Sequence, residues 1–204
     1  MTDEELKTEL DRLAPFEGRV PFLYLDNATR PNVTTGVGFL IVGIDDACKL
    51  PFYRVSDGQP ATRAEITADF LRVRSMRGGM VANAYKGGLR LAEADIDAEG
   101  SRRLRAFLAG LPGVFPGFDG FPNGVQLALL DLSWNVGLGA ESTATHTATG
   151  LRGWAHLRAA CNAVPPNWAA ASANCRTANP SNNSLREKRN DWRTDAFRAA
   201  MVDA

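Results

Sequence analysis

The chain has 204 residues, 45% hydrophobic and 23% charged, with 23 basic side chains balancing 23 acidic ones for a net charge of 0. This composition excludes a disordered chain, and no apolar run reaches the ~20 residues of a membrane span, which excludes an integral membrane segment. The even charge excludes a whole-molecule electrostatic draw to nucleic acid. In chain order, residues 2–13 predict a helix: Thr2 and Glu5 form a capping-box pattern, Leu6, Leu10 and Leu13 share one face, and Pro15 ends it. The opening MTDEELKTELDRL lacks a basic region followed by an apolar run, so no conventional signal peptide is expected and synthesis in a cytoplasm is.

Residues 19–44, with Val20, Phe22, Tyr24 and then Val33 to Ile44 punctuated by Gly36, Gly38 and Gly43, read as short strands and turns. This is the only clear β region. Thr62 and Glu65 open a second capped helix with Ile66, Phe70 and Val73 as its apolar stripe. Residues 95–110 form another, with Leu104, Phe107 and Leu108 inward. Residues 112–124 are a turn-rich connector, and 125–135 are apolar nearly all round, the mark of a buried helix. Residues 139–150 read as an exposed loop and 153–162 as a helix. Ser184 and Glu187 open a last helix to about Met201 with Leu185, Trp192 and Ala196 inward. One early β patch followed by many helices is α+β, mainly helical. A single domain over residues 1–204 is expected, with a small β lobe (about 17–60) and a helical lobe (about 61–201, plus the N-terminal helix) flanking a cleft.

The chemistry concentrates in residues 16–40, FEGRVPFLYLDNATRPNVTTGVGFL. Glu17 lies just after the first helix, in an apolar setting between Pro15 and Pro21. Such a setting disfavours the charged carboxylate, which suits a general acid. Asp26, beside Asn27 and Thr29, is in polar company and suits an ionised partner. Two carboxyls in opposed environments are the working parts of glycoside hydrolysis. Thr34 or Thr35 could hold a water against Asp26, and the glycines let the backbone pass close to a sugar chain.

Glu17, eight residues, Asp26, then Thr34-x-Gly36-x-Gly38 resembles the motif of the phage-type lysozymes of glycoside hydrolase family 24. The string Ser133 to Gly137 (SWNVG) and the stretch Leu185 to Trp192 (LREKRNDW) also resemble family segments, in family order. The resemblance covers most of the chain and implies a lysozyme-like two-lobed fold. It implies a muramidase that hydrolyses the β-1,4 bond between N-acetylmuramic acid and N-acetylglucosamine in peptidoglycan, with no metal or organic cofactor. By the same resemblance Glu17 protonates the glycosidic oxygen, Asp26 orients or deprotonates the attacking water, and Thr34 helps to place it. Inversion is the family's usual outcome and would set the carboxyls about 6.5–9.5 Å apart; retention would need about 5–5.5 Å. Tyr24, Thr35, Asn135, Gly137, Arg186 and Arg189 are candidate substrate contacts. For Tyr24 filling the β lobe is the alternative, for Asn135 and Gly137 capping the helix, and for Arg186 and Arg189 an ion pair with Glu187 or Asp191.

The chain departs from the family at several points. Seven residues separate Asp26 from Thr34 where five are usual, the additional pair lying around Arg30–Pro31–Asn32. Phe39 stands where a histidine is common, and residues 42–60 and 139–182 are expanded. Arg72, Arg74, Arg77, Lys86 and Arg90, with no acid between Phe70 and Ala92, could form a local positive face. Trp134 could pack in the core or stack on a sugar, and Trp154 and Trp168 read as satellite core. Cys161 and Cys175 could pair in an oxidising compartment or remain idle thiols. His146 and His156 are the only histidines, so histidine catalysis or a His-rich metal site has little to build on.

The expected setting is a phage endolysin or a secreted antibacterial effector, made in the cytoplasm and acting on the cell wall in the periplasm or outside the cell. The expected partner is the peptidoglycan glycan strand, with an immunity protein in the effector case and a monomer as the working form. A glycan- or protein-binding module that kept the fold with little catalysis is the alternative. A related glycosidase acting on chitin-like polymers is a third reading.

Overall fold

The computed structural model describes residues 1–26, 31–178 and 183–202. It is an α+β protein, mainly helical, with two small antiparallel sheets. The chain divides into two compact units, Met1–Arg102 and Arg103–Ala204. No described helix is long and apolar enough to cross a membrane.

The first unit opens with helix α1 (Asp3–Glu17), whose reciprocal Thr2–Glu5 capping box is formed. Leu6, Leu10 and Leu13 are buried on one face. The helix does not end at Pro15, as its sequence suggests, but carries it inside. Proline removes one amide hydrogen bond, and here the next turn still closes, because the Gly18 amide donates to the Ala14 carbonyl at 2.8 Å. Glu17 is therefore the last residue of the helix rather than a residue beyond it.

Strands β1 (Val20–Leu25), β2 (Val33–Gly36) and β3 (Phe39–Leu40) form a three-stranded meander in sequence order. The Phe39 ring lies against Gly36, where any side chain would collide with it. The position that often holds histidine in the resembled family is here a buried core residue.

The expanded segment 42–60 is folded: it holds a short helix α2 (Ile44–Ala47) and strand β4 (Tyr53–Arg54). Helix α3 (Arg63–Ser75) and strand β5 (Leu89–Arg90) follow it. Strands β4 and β5 pair antiparallel, a second sheet absent from the sequence reading. Two-residue strands are too short to show alternation, and the paired residues Arg54 and Leu89, and Tyr53 and Arg90, are far apart in the chain. The Leu91 amide donates to the Pro21 carbonyl at 2.7 Å and ties this sheet to β1. Helix α3 has its expected capping box and buries Ile66, Phe70 and Val73. It belongs with the sheets in the first unit, not with a helical lobe beginning at residue 61. The expected positive face is partly internal: Arg72 pairs with Asp69 at 2.8 Å, and the buried Arg90 guanidinium lies 4.7 Å from the centre of the Phe22 ring. Arg74, Arg77 and Lys86 are exposed.

Helix α4 (Glu93–Gly110) runs across the division of the chain. Its Gly100 faces Leu10 of α1, and an added Cβ would come within 2.5 Å of Leu10 Cδ2.

In the second unit the connector after α4 is turns of 3₁₀ helix that bury Phe115, Phe118 and Phe121. Helix α5 (Asn123–Val136) is buried along most of its length. Helices α6 (Ala155–Cys161) and α7 (Trp168–Ala173) follow, then α8 (Ser184–Ala199). Helix α7 went unseen in the sequence because six residues, mostly alanine, show no periodicity. Phe121, Trp168 and Phe197 form an aromatic chain with ring centres 5.1 and 6.3 Å apart.

Helix α8 differs from its sequence reading in two respects. Its cap is Asn183, whose side chain accepts from the amides of Leu185 and Arg186, rather than a box opened by Ser184. Its inward face is Arg189, Asn190, Arg193, Thr194 and Phe197, while Leu185 is 47% exposed. The rotation follows from Asp131, fully buried on α5, which accepts from Arg189 Nε at 3.0 Å and from Arg193 Nε. A buried carboxylate needs paired donors, and two arginines one turn apart supply them.

Cys161 and Cys175 are free, buried thiols, and Cys48 is half-buried. Burial pushes the Cys161 thiol up to about 12, with a smaller contribution from Cys175, and raises Cys175 as well. The thiolate is the reactive form. In the native protein Cys48 alone is therefore expected to react promptly with a maleimide, the other two only after unfolding. Counting adducts by intact-mass spectrometry before and after denaturation checks this. Two or three rapid native adducts would contradict the burial.

Candidate active site

Glu17 is placed by three local features. It occupies the last residue of α1, and Gly18, at φ 80°, turns the chain away. Arg19 then clamps the junction to α4, its Nε 2.5 Å from Glu93 Oε2 and its Nη2 2.6 Å from Asp97 Oδ1. The half-buried Glu17 side chain lies over Gly38 in the β2–β3 turn: a Cβ there would stand 3.0 Å from Glu17 Oε2 and 3.2 Å from Glu17 Cβ. Gly38 also has φ +67°, where side-chain-bearing residues are strained. The second motif glycine thus has two reasons to be glycine, and one of them is contact with Glu17.

Asp26 directly follows β1 and is half-buried. Asn32, just before β2, holds it from three directions. The Asp26 amide donates to the Asn32 carbonyl at 3.0 Å. The Asn32 amide donates to Asp26 Oδ1 at 3.0 Å, and Asn32 Nδ2 to Asp26 Oδ2 at 3.1 Å. Both carboxylate oxygens are thereby oriented. The polar neighbours Asn27 and Thr29, and Arg30 of the lengthened turn, lie outside the described residues. The sequence reading does not single out Asn32 as a partner of Asp26; the available signal was an amide side chain able to bond Asp26 across a six-residue interval.

The register of β1 and β2 separates the two threonines. Tyr24 is directly opposite Thr34, so their side chains share a face. Thr35 points the other way, is 0% exposed, and donates its hydroxyl to the Val20 carbonyl at 3.2 Å. Thr35 is therefore a structural residue of the meander, not the surface contact its sequence position suggested. Thr34, 4% exposed, donates to the Asn32 carbonyl at 3.3 Å and so braces the residue that orients Asp26.

Tyr24 lies in the field of both carboxyls. Burial pushes its hydroxyl up to about 12, and Glu17 and Asp26 each add in the same direction. The folded protein favours the neutral phenol. Its contribution to stability is thus full below the ordinary tyrosine value of 10.0 and is lost as pH rises through about 12. At neutral pH the hydroxyl is a neutral hydrogen-bond donor within the electrostatic reach of both carboxyl groups.

The remaining expected contacts lie in the second unit. Asn135 is exposed on the last turn of α5, and Gly137, at φ 73°, caps that helix with its amide on the Ser133 carbonyl at 2.8 Å. Arg186 is exposed and donates to the Ala178 carbonyl at 3.0 Å. Arg189 is 5% exposed and bound to Asp131, a structural ion pair rather than a surface contact. Glu187 and Asp191, its expected alternative partners, both pair with Arg176. Trp134 packs on Phe107 with ring centres 6.1 Å apart.

Among the described residues no group of three or more histidine, cysteine or carboxylate side chains is arranged to hold a metal ion. Compared with family models and with curated proteins, the sequence matches none.

Proposed function

We propose that the protein is a muramidase that hydrolyses the β-1,4 bond between N-acetylmuramic acid and N-acetylglucosamine in peptidoglycan. The observation that carries this reading is the seating of Glu17 on Gly38, the turn of the same small sheet that presents Asp26 and Thr34. The sequence motif that resembles the phage-type lysozymes is thus also a cluster in space. Glu17, at the end of α1, is the general acid. Asp26, oriented by Asn32, positions and deprotonates the attacking water, and Thr34 acts on it through Asn32. Tyr24 supplies a neutral donor on the same face. A lysozyme-like two-lobed fold, action on the cell wall and a phage or effector setting belong to the same proposal.

The reading is tested by digesting purified peptidoglycan and reading the reduced products by mass spectrometry. Muropeptides with a reducing N-acetylmuramic acid end are expected. Release of N-acetylglucosamine ends, or turnover of chitin oligomers alone, would replace the muramidase with a related glycosidase. No release at all would leave a binding module.

Gly38→Ala tests the geometry directly. The substitution places a methyl against the Glu17 carboxylate and strains a left-handed residue by about 1–2 kcal/mol. A displacement near 1 Å at a reacting group lowers turnover by about 100-fold. A folded Gly38→Ala variant with undiminished activity would separate Glu17 from the chemistry.

A further inference from the structure

A groove in the first unit takes no part in the chemistry above. One half, about 490 Å³, is walled by Leu50, Pro51, Phe52, Pro60 and Ile66, with Tyr53, Cys48 and Asp95 also lining it. The other half, about 630 Å³, shares Lys49 and Arg63 with the first and runs out to Val42 and Gly43. Volumes of this order suit an extended small ligand.

We propose that this groove binds the peptide stem of peptidoglycan, a short extended peptide carrying a side-chain amine and free carboxylates. This rests on the muramidase reading for its biological sense. The charges select the ligand class. The half-buried Asp95 carboxylate has no hydrogen-bond or ion-pair partner among the described residues, and neither has the Tyr53 hydroxyl. An acid at the first turn of a helix is ordinary by itself. Here it also lines a hollow walled by Leu50, Phe52 and Ile66, where it offers a counter-charge to a ligand ammonium. Lys49 and Arg63, which line both halves, are 73% and 66% exposed and paired with Asp46 and Asp45. Such exposed pairs are weak and can exchange for a ligand carboxylate. A glycan of neutral sugars offers Asp95 hydroxyl donors but no counter-charge; a stem peptide offers both signs in one chain.

The reach is sufficient. Val42 follows Gly38 by four residues, so the groove mouth is within roughly 14 Å of the turn that seats Glu17. A five-residue extended peptide spans roughly 17 Å. The groove is built from the expanded segment 42–60 together with α3 and α4.

The test is a calorimetric titration of full-length protein with the soluble stem tetrapeptide, which contains no glycosidic bond. Saturable binding is expected, weakened about tenfold by Asp95→Asn and equally by acetylating the peptide's side-chain amine. Alkylation of Cys48 with a bulky maleimide should block it. The acetylated peptide reads the same contact on unaltered protein, so it holds even if Asp95→Asn misfolds. No binding up to the peptide's solubility limit, or binding indifferent to amine acetylation, overturns the proposal. Hydrolysis of glycan without stem binding removes this inference alone; stem binding without hydrolysis removes the muramidase reading alone.

Discussion

Glu17→Gln is expected to lower the rate of peptidoglycan hydrolysis by about 10²–10⁴-fold while leaving binding to cell walls intact. Glutamine matches glutamate in shape, so the packing over Gly38 is retained. In the proposed muramidase, what it removes is the proton that the leaving-group oxygen must receive. Binding, by contrast, depends on surface and hydrogen bonds that the substitution barely alters. The measurement is the release of reducing ends alongside a wall pull-down. A variant as active as the wild type would sink the acid assignment and favour the binding module, which has no use for both carboxyls. Asp26→Asn is a companion with a different cause. An amide at position 26 sets an N–H against donors of Asn32, so the side chain is misoriented as well as stripped of its charge.

Asp131→Asn is expected to destabilise the fold by about 3–5 kcal/mol. The carboxylate is fully buried and accepts from two arginines that are themselves 6% and 0% exposed. Neutralising it leaves two guanidinium groups in the interior without their counter-charge. Against a typical total of about 5–15 kcal/mol this is a large fraction. For a protein of this size it corresponds to a fall in Tm of roughly 6–20 °C. Thermal unfolding measures it, with Asp191→Asn as the control. Asp191 makes an exposed pair with Arg176, so a change within about 0.5 kcal/mol is expected there. Equal losses for the two variants would mean that the buried node holds nothing together. Replacing Asp131, Arg189 and Arg193 together by apolar residues of similar volume should recover much of the loss, since no uncompensated charge then remains.

The contrast between α1 and α8 shows how much could be read without coordinates. In α1 the buried residues are leucines at helical spacing, and the polar cap is a local pair three residues apart. Both are legible because the partners are near in sequence. In α8 the same logic put Leu185 and Trp192 inward, and the structure puts Arg189 and Arg193 there. Their partner Asp131 is 58 and 62 residues away, and no local pattern announces a buried ion pair. The strands divide likewise. The meander was visible from its turn glycines, whereas β4 and β5 are two residues each and exist only because they meet.

The candidate site follows the same division. Glu17, Asp26 and Thr34 stand out in the sequence because they lie within 18 residues and the motif spacing is short-range. Helix ends, turns and hydrophobic periodicity are local properties, so the sequence by itself determined the α+β class and most of the helices, and it singled out these three side chains as candidates. Only the tertiary structure decided that Asn32 orients Asp26 and that Thr34 rather than Thr35 shares a face with Tyr24. It also decided that Gly38 is a seat for Glu17 and that Arg189 is a buried ion pair. Those outcomes depend on strand register and on contacts between distant residues. A one-residue shift in register reverses every side chain, and burial is set by whatever else packs on the same surface.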